Sequence, residues 1–202
     1  MDDLGSIPAL RMTGTEAFHS DGRPLGLTVL DYWRWGASDL VSNATRGVVA
    51  EFLVATAIGV SDGVREEWSA YDLLSPEGIR LEIKASAFVQ GWYQKEHSKP
   101  VFSCKPSRGW DRDTGFMSEK VKRQADVYAF CLHAHRDQRT LDVLDVSQWE
   151  FYVLPTRVLD ERTRSQHSIT LPSLNKLTQS VVYADLRSAI LAAAHEQDPE
   201  SF

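Results

Sequence analysis

One eight-residue stretch constrains this chain more than any other. Ile79-Arg80-Leu81-Glu82-Ile83-Lys84-Ala85-Ser86 alternates apolar and polar residues, and it follows Ser75-Pro76-Glu77-Gly78, which has Pro and Gly where a tight turn needs them. Strand side chains alternate faces, so Leu81, Ile83 and Ala85 turn to a core while Arg80, Glu82, Lys84 and Ser86 share the other face. The strand-like run Trp68 to Leu74 precedes the turn, and the two segments read as a hairpin.

Around it the periodicity predicts helix, helix, strand, strand, strand, helix, strand, strand, helix, a mixed α/β domain with a central sheet. Residues 1–27 read as an irregular arm. Thr28 and Asp31 form an approximate capping box for a helix over 29–41, and a second helix over 45–58 stops at Gly59. Val101 to Cys104 reads as a short strand, 105–118 as a loop and 119–124 as a short helix. Asp126 to His133 and Trp149 to Leu154 are β-prone, and 185–195 is helical. A single domain is expected, with a core over 44–155 and a C-terminal helical extension over 156–202.

Several classes of function are disfavoured. No apolar run approaches the roughly 20 residues that span a bilayer, and the acidic opening Met1-Asp2-Asp3 lacks the order of a signal peptide, so a cytoplasmic protein is expected. Cys104 and Cys131 read as buried thiols rather than a disulfide or a zinc site. Neither phosphate-binding glycine motif is present, so no nucleotide cofactor is expected. His133 and His135 share a strand face but have no nearby partner in sequence for a metal.

The chemistry lies in the acids. Glu82 and Lys84 stand roughly 7 Å apart along the strand, and hairpin pairing can bring Asp72 beside Glu82. Two carboxylates suit Mg²⁺, with Mn²⁺ as a substitute, since Mg²⁺ keeps most of its waters. Glu51 lies in Gly47–Ile58, a helix apolar nearly all round; a buried carboxylate there requires a partner, whether Arg46, Lys84 or a metal-bound water. From Gln94 to Arg123 the chain carries eight basic and four acidic residues, a local surplus of +4 in a chain of net charge -6, with Trp110 and Phe116 interleaved. Lys95, Lys99, Lys105, Arg108 and Arg123 are the candidate phosphate contacts.

A helix with Gly47-x-x-x-Glu51, then Asp72 on a strand, then Glu82-Ile83-Lys84, resembles the PD-(D/E)xK nuclease superfamily of restriction endonucleases, Holliday-junction resolvases and RecB-like nuclease domains. Tyr71 stands where the Pro of the family's name would be. The resemblance covers 44–86 and implies a restriction-endonuclease-like αβββαβ core. It also implies Mg²⁺ held by Asp72, Glu82 and the Ile83 carbonyl, water activation assisted by Lys84, support of the metal site by Glu51, and Gln90 or Gln94 near the substrate backbone. The expected activity is Mg²⁺-dependent cleavage of DNA, with a homodimer plausible for duplex cutting. The alternative is a catalytically silent module of the same fold that binds DNA or a protein partner, which the acidic net charge keeps in play.

Overall fold

The computed structural model describes residues 4–200. At its centre lies a four-stranded mixed sheet, and the rest of the chain is arranged by which face of that sheet it covers. In chain order, β1 (Ala17–Ser20) and β2 (Arg23–Thr28) precede α1 (Val29–Ala37) and α2 (Asn43–Ile58). Next come β3 (Leu73–Leu74), β4 (Arg80–Ala87), β5 (Val101–Ser103), β6 (Ser107–Trp110), β7 (Met117–Lys122), β8 (Val127–His133) and β9 (Trp149–Pro155). The chain ends with α3 (Thr156–Asp160), β10 (Ser168–Thr170), α4 (Leu171–Leu174) and α5 (Leu186–Gln197).

The sheet order is β3-β4-β8-β9, antiparallel at both edges and parallel where β4 meets β8. All seven residues of β8 are buried, as a strand covered on both faces must be. On one face, Leu81, Ile83, Val127, Ala129 and Phe151 pack beneath α2 and α5 through Val54, Ile58, Leu186 and Ile190. On the other, Tyr128, Phe130, Leu132 and Leu154 pack with Phe102, Leu159, Ile169 and Leu174. Each such aliphatic or aromatic side chain, once buried, contributes about 1.5–3 kcal/mol. Cys131 belongs to the first cluster and Cys104 to the second, both buried and free, so the sheet separates them.

Several local expectations hold. The Thr28–Asp31 capping box closes: the Asp31 carboxylate accepts from the Thr28 N–H at 2.9 Å while the Asp31 N–H donates to the Thr28 hydroxyl at 3.3 Å. Gly59 ends α2 at φ 78°, a left-handed cap that a side chain would strain.

Others are corrected. Residues 17–28 form a hairpin, not an irregular arm, turning through Asp21 and Gly22 at positive φ. Residues 107–122 form a second hairpin where a loop and a short helix were expected. Glu119-Lys120-Val121-Lys122 has good helix formers, but it also alternates, and pairing with β6 decides the outcome. Only Leu73–Leu74 of the expected 68–74 strand is regular. The segment after 155 is not only helical: it supplies β10, which pairs with β5, and the helix that covers one sheet face. The helix α1 lies outside the core, with none of its residues buried. No described helix is long and apolar enough to cross a membrane.

Candidate active site

The turn after β3 is built by Ser75, whose hydroxyl accepts from the N–H groups of Glu77 and Ile79, with Gly78 at φ 85°. Leu73 pairs with Leu81, and the Asp72 N–H donates to the Leu81 carbonyl, so the same register sets Asp72 opposite Glu82. The Asp72 carboxylate then caps the end of the short β3, accepting from the Ile83 N–H at 2.6 Å. Both backbone groups of a strand residue point the same way, so the Ile83 carbonyl faces this side of β4.

Lys84 Nζ lies 2.5 Å from Glu82 Oε1 and 4.0 Å from Asp72 Oδ2, and all three side chains are between about a fifth and a third exposed. Burial, followed by the charge of Glu82, holds the Asp72 carboxyl above its ordinary pKa. For Lys84, burial opposes the charge, but Glu82 and Asp72 together outweigh it, and the ammonium is held above its ordinary value.

Glu51 does not join this cluster directly. Its carboxylate, 14% exposed, is gripped by Arg65 at 2.5 and 2.9 Å, so its partner is none of the three candidates expected. The Arg65 guanidinium is held strongly charged, chiefly by that hydrogen bond, and its field also reaches Asp72. Two charge groups thus adjoin, Glu51–Arg65 on the α2 side and Asp72–Lys84–Glu82 on the sheet edge. Asp72, Glu82 and Lys84 come together directly, while Glu51 is tied to Arg65 and its charge also acts on Lys84. Among the described residues no three His, Cys, Asp or Glu side chains group as metal ligands.

Glu82 and Lys84 open onto a groove of about 460 Å³ whose other walls include Ser103, Lys105, Ser107, Arg108, Val121 and Tyr128. Lys105 and Arg108 are exposed there, so two of the predicted basic residues share the groove with Glu82. A larger cavity of about 800 Å³, lined by Trp68, Tyr71, Trp110 and Arg112, includes none of Glu51, Asp72, Glu82 or Lys84 in its walls.

The structure places the remaining candidates elsewhere. Arg123, 1% exposed at its side chain, donates to Asp160, the Cys104 carbonyl and Gln166. Gln90 is buried: it accepts from Arg46 at 2.7 Å and donates to the Ala87 carbonyl at 3.0 Å. Gln94 donates to the Phe88 carbonyl and Ser98, and accepts from the Gln90 N–H. Their polar atoms are committed inside the protein. Lys95 is exposed, and Lys99 lines a separate cavity with Phe88 and Arg136. His133 is buried against Trp149 and His135 bonds Thr140, so they do not act as a pair.

Sequence reasoning missed Arg65 and Tyr128. Arg65 lies in Val64-Arg65-Glu66-Glu67, a charged run without periodicity, and Tyr128 reads as one more core residue of an apolar strand.

The sheet thus brings two carboxylates and a lysine together beside a groove with cationic walls. Residues 34–171 match the family model of bacteriophage T4 endonuclease IV, and the chain belongs to that family. The matched span runs from the middle of α1 through β10 and takes in Glu51, Asp72, Glu82 and Lys84. No curated protein matches the chain.

Proposed function

We propose that this protein is a metal-dependent DNA endonuclease whose active site is of the PD-(D/E)xK type. The reading rests on one observation: Lys84 Nζ, 2.5 Å from Glu82 and 4.0 Å from Asp72, lies at the wall of a groove that Lys105 and Arg108 share. Membership of an endonuclease family supports it. The groove's cationic wall suits a polyanion despite the net charge of -6.

The donor set fits Mg²⁺ or Mn²⁺. Asp72, Glu82 and the Ile83 carbonyl offer only oxygen, the preference of hard divalent cations. The raised pKa of Asp72, from burial and then from Glu82, marks a place short of positive charge. When bound, such a cation supplies Lewis acidity to the phosphate and lowers the pKa of water.

The protein's own groups do the rest. Lys84 keeps its proton at neutral pH, because its two carboxylates more than offset burial. It therefore orients the attacking water and neutralises developing charge, and does not serve as the base. Lys105 and Arg108 hold the flanking phosphates by charge. Arg65 holds the Glu51 carboxylate in place with two hydrogen bonds. A homodimer in the cytoplasm would supply one such site per strand of a duplex.

Cleavage of DNA with and without Mg²⁺ tests the reading. Wild type should cut only with the divalent cation, and Glu82→Ala and Lys84→Ala should lose cutting while their circular dichroism is unchanged. Full activity in either variant overturns the assignment. Divalent binding by calorimetry without any cutting would favour the silent module.

A further inference from the structure

Tyr128 is the one groove residue that β8 supplies, and with Cys104 it is the most buried of the lining. It is 3% exposed, it stacks on Phe130 with ring centroids 5.8 Å apart, and it sits beside Glu82 in the parallel register of β4 and β8. Its ring belongs to the second core. Its hydroxyl is different. Among the described residues it has no hydrogen-bond partner, whereas the Tyr152 hydroxyl bonds Glu150 at 2.7 Å and the Tyr183 hydroxyl bonds Thr56 at 2.7 Å.

Buried phenols ordinarily find a partner. Among the described residues, the one fully enclosed side-chain polar atom without a partner is His133 Nδ1. The Tyr128 oxygen is therefore not sealed in: it reaches the groove that Glu82, Lys84, Lys105 and Arg108 line. A donor on a strand buried along its whole length, with no partner among the described residues, suits a ligand that brings its own acceptor oxygen.

We propose that the Tyr128 hydroxyl donates a hydrogen bond to a non-bridging oxygen of the phosphodiester seated in this groove. The inference rests on the nuclease reading and adds a neutral donor to its cationic ones. A phenol carries its proton at neutral pH, so it is available as a donor. Because the ring is packed, the donor is already in place when negative charge develops on the phosphate, and such preorganised donors act mainly on the chemical step.

Tyr128→Phe removes the O–H and keeps the ring that packs on Phe130. The test compares wild type and Tyr128→Phe in cutting of a defined DNA with Mg²⁺, well below the melting temperature of each. The expected result is a kcat lower by about 10- to 100-fold, a KM nearly unchanged and the same melting temperature. A second readout uses DNA with sulfur in place of one non-bridging oxygen. Wild type should discriminate between the two phosphorothioate diastereomers, and Tyr128→Phe should discriminate less, an effect that a purely structural tyrosine would not produce. An active wild type matched in kcat and in diastereomer preference by Tyr128→Phe overturns the inference alone. A wild type inert towards DNA with Mg²⁺ and with Mn²⁺ overturns the nuclease reading and this inference with it.

Discussion

Asp72 is held at a cost to the fold. In the unfolded chain it titrates at the ordinary aspartate value; in the folded protein its pKa is higher, because burial and Glu82 disfavour the anion. Above the folded value the ionised carboxylate weakens the structure, and the penalty fades as pH falls through that value. Asp72→Asn keeps an acceptor for the Ile83 N–H without the charge. In divalent-free buffer at pH 7 it should melt about 2–4 °C above wild type, what ~1 kcal/mol is worth in a chain of this size, with the gap closing towards acid and DNA cutting lost. Thermal melts at three pH values check this. Arg65→Ala has the opposite sign: it strands the part-buried Glu51, and a loss of about 1–2 kcal/mol is expected after allowing for the exposure of Arg65, together with weaker cutting. Urea titration measures the first and cleavage rates the second. At this scale the sequence was legible where periodicity spoke. A period of two put Glu82 and Lys84 on one face and predicted their contact. Arg65 was illegible because its pairing with Glu51 spans fourteen residues through an irregular segment that no spacing rule describes.

Elements explain the misplaced glutamine. Among the described residues Arg46, 2% exposed at the start of α2, pairs with no carboxylate; it donates to the carbonyls of Val41 and Val89, to Asn43 and to Gln90. Burial lowers its pKa, yet these oxygens keep the guanidinium satisfied. Gln90 therefore ties the segment after β4 to α2, which holds the site strand against its covering helix. Gln90→Ala leaves that cation short of an acceptor, and about 1–3 kcal/mol of stability should go, seen as a lower urea midpoint with little change in KM for DNA. A Gln following a site strand reads equally well as a substrate contact from sequence alone; only the fold shows that Arg46 claims it. The β6–β7 hairpin was misread for a different reason, since propensity favoured helix over 119–122 and its partner, Ser107-Arg108-Gly109-Trp110, carries a glycine and no clear strand pattern. Its consequence is the groove wall. Lys105→Ala and Arg108→Ala should each weaken DNA binding and reduce the salt dependence of the association constant by about one unit of slope, measured by titration at several salt concentrations.

For the whole molecule, a mixed α/β fold with a central sheet and flanking helices was legible because buried strands and apolar helices carry strong patterns. The roles of the terminal regions were not. β10 completes the sheet's second face by pairing with β5 across more than sixty residues, a contact that leaves no local mark. Charge is legible only in part. The surplus in 94–123 is real, but Arg123 is spent inside the protein and Arg112 on Glu66, so the groove's field comes from fewer cations than the sum suggests. The parallel joining of β4 to β8 also imposes a schedule. Asp72, Glu82 and Lys84 leave the ribosome well ahead of β8, on a two-stranded ribbon that is marginal in water by itself. A nascent chain thus carries Asp72, Glu82 and Lys84 before it holds the strand on which their hairpin rests.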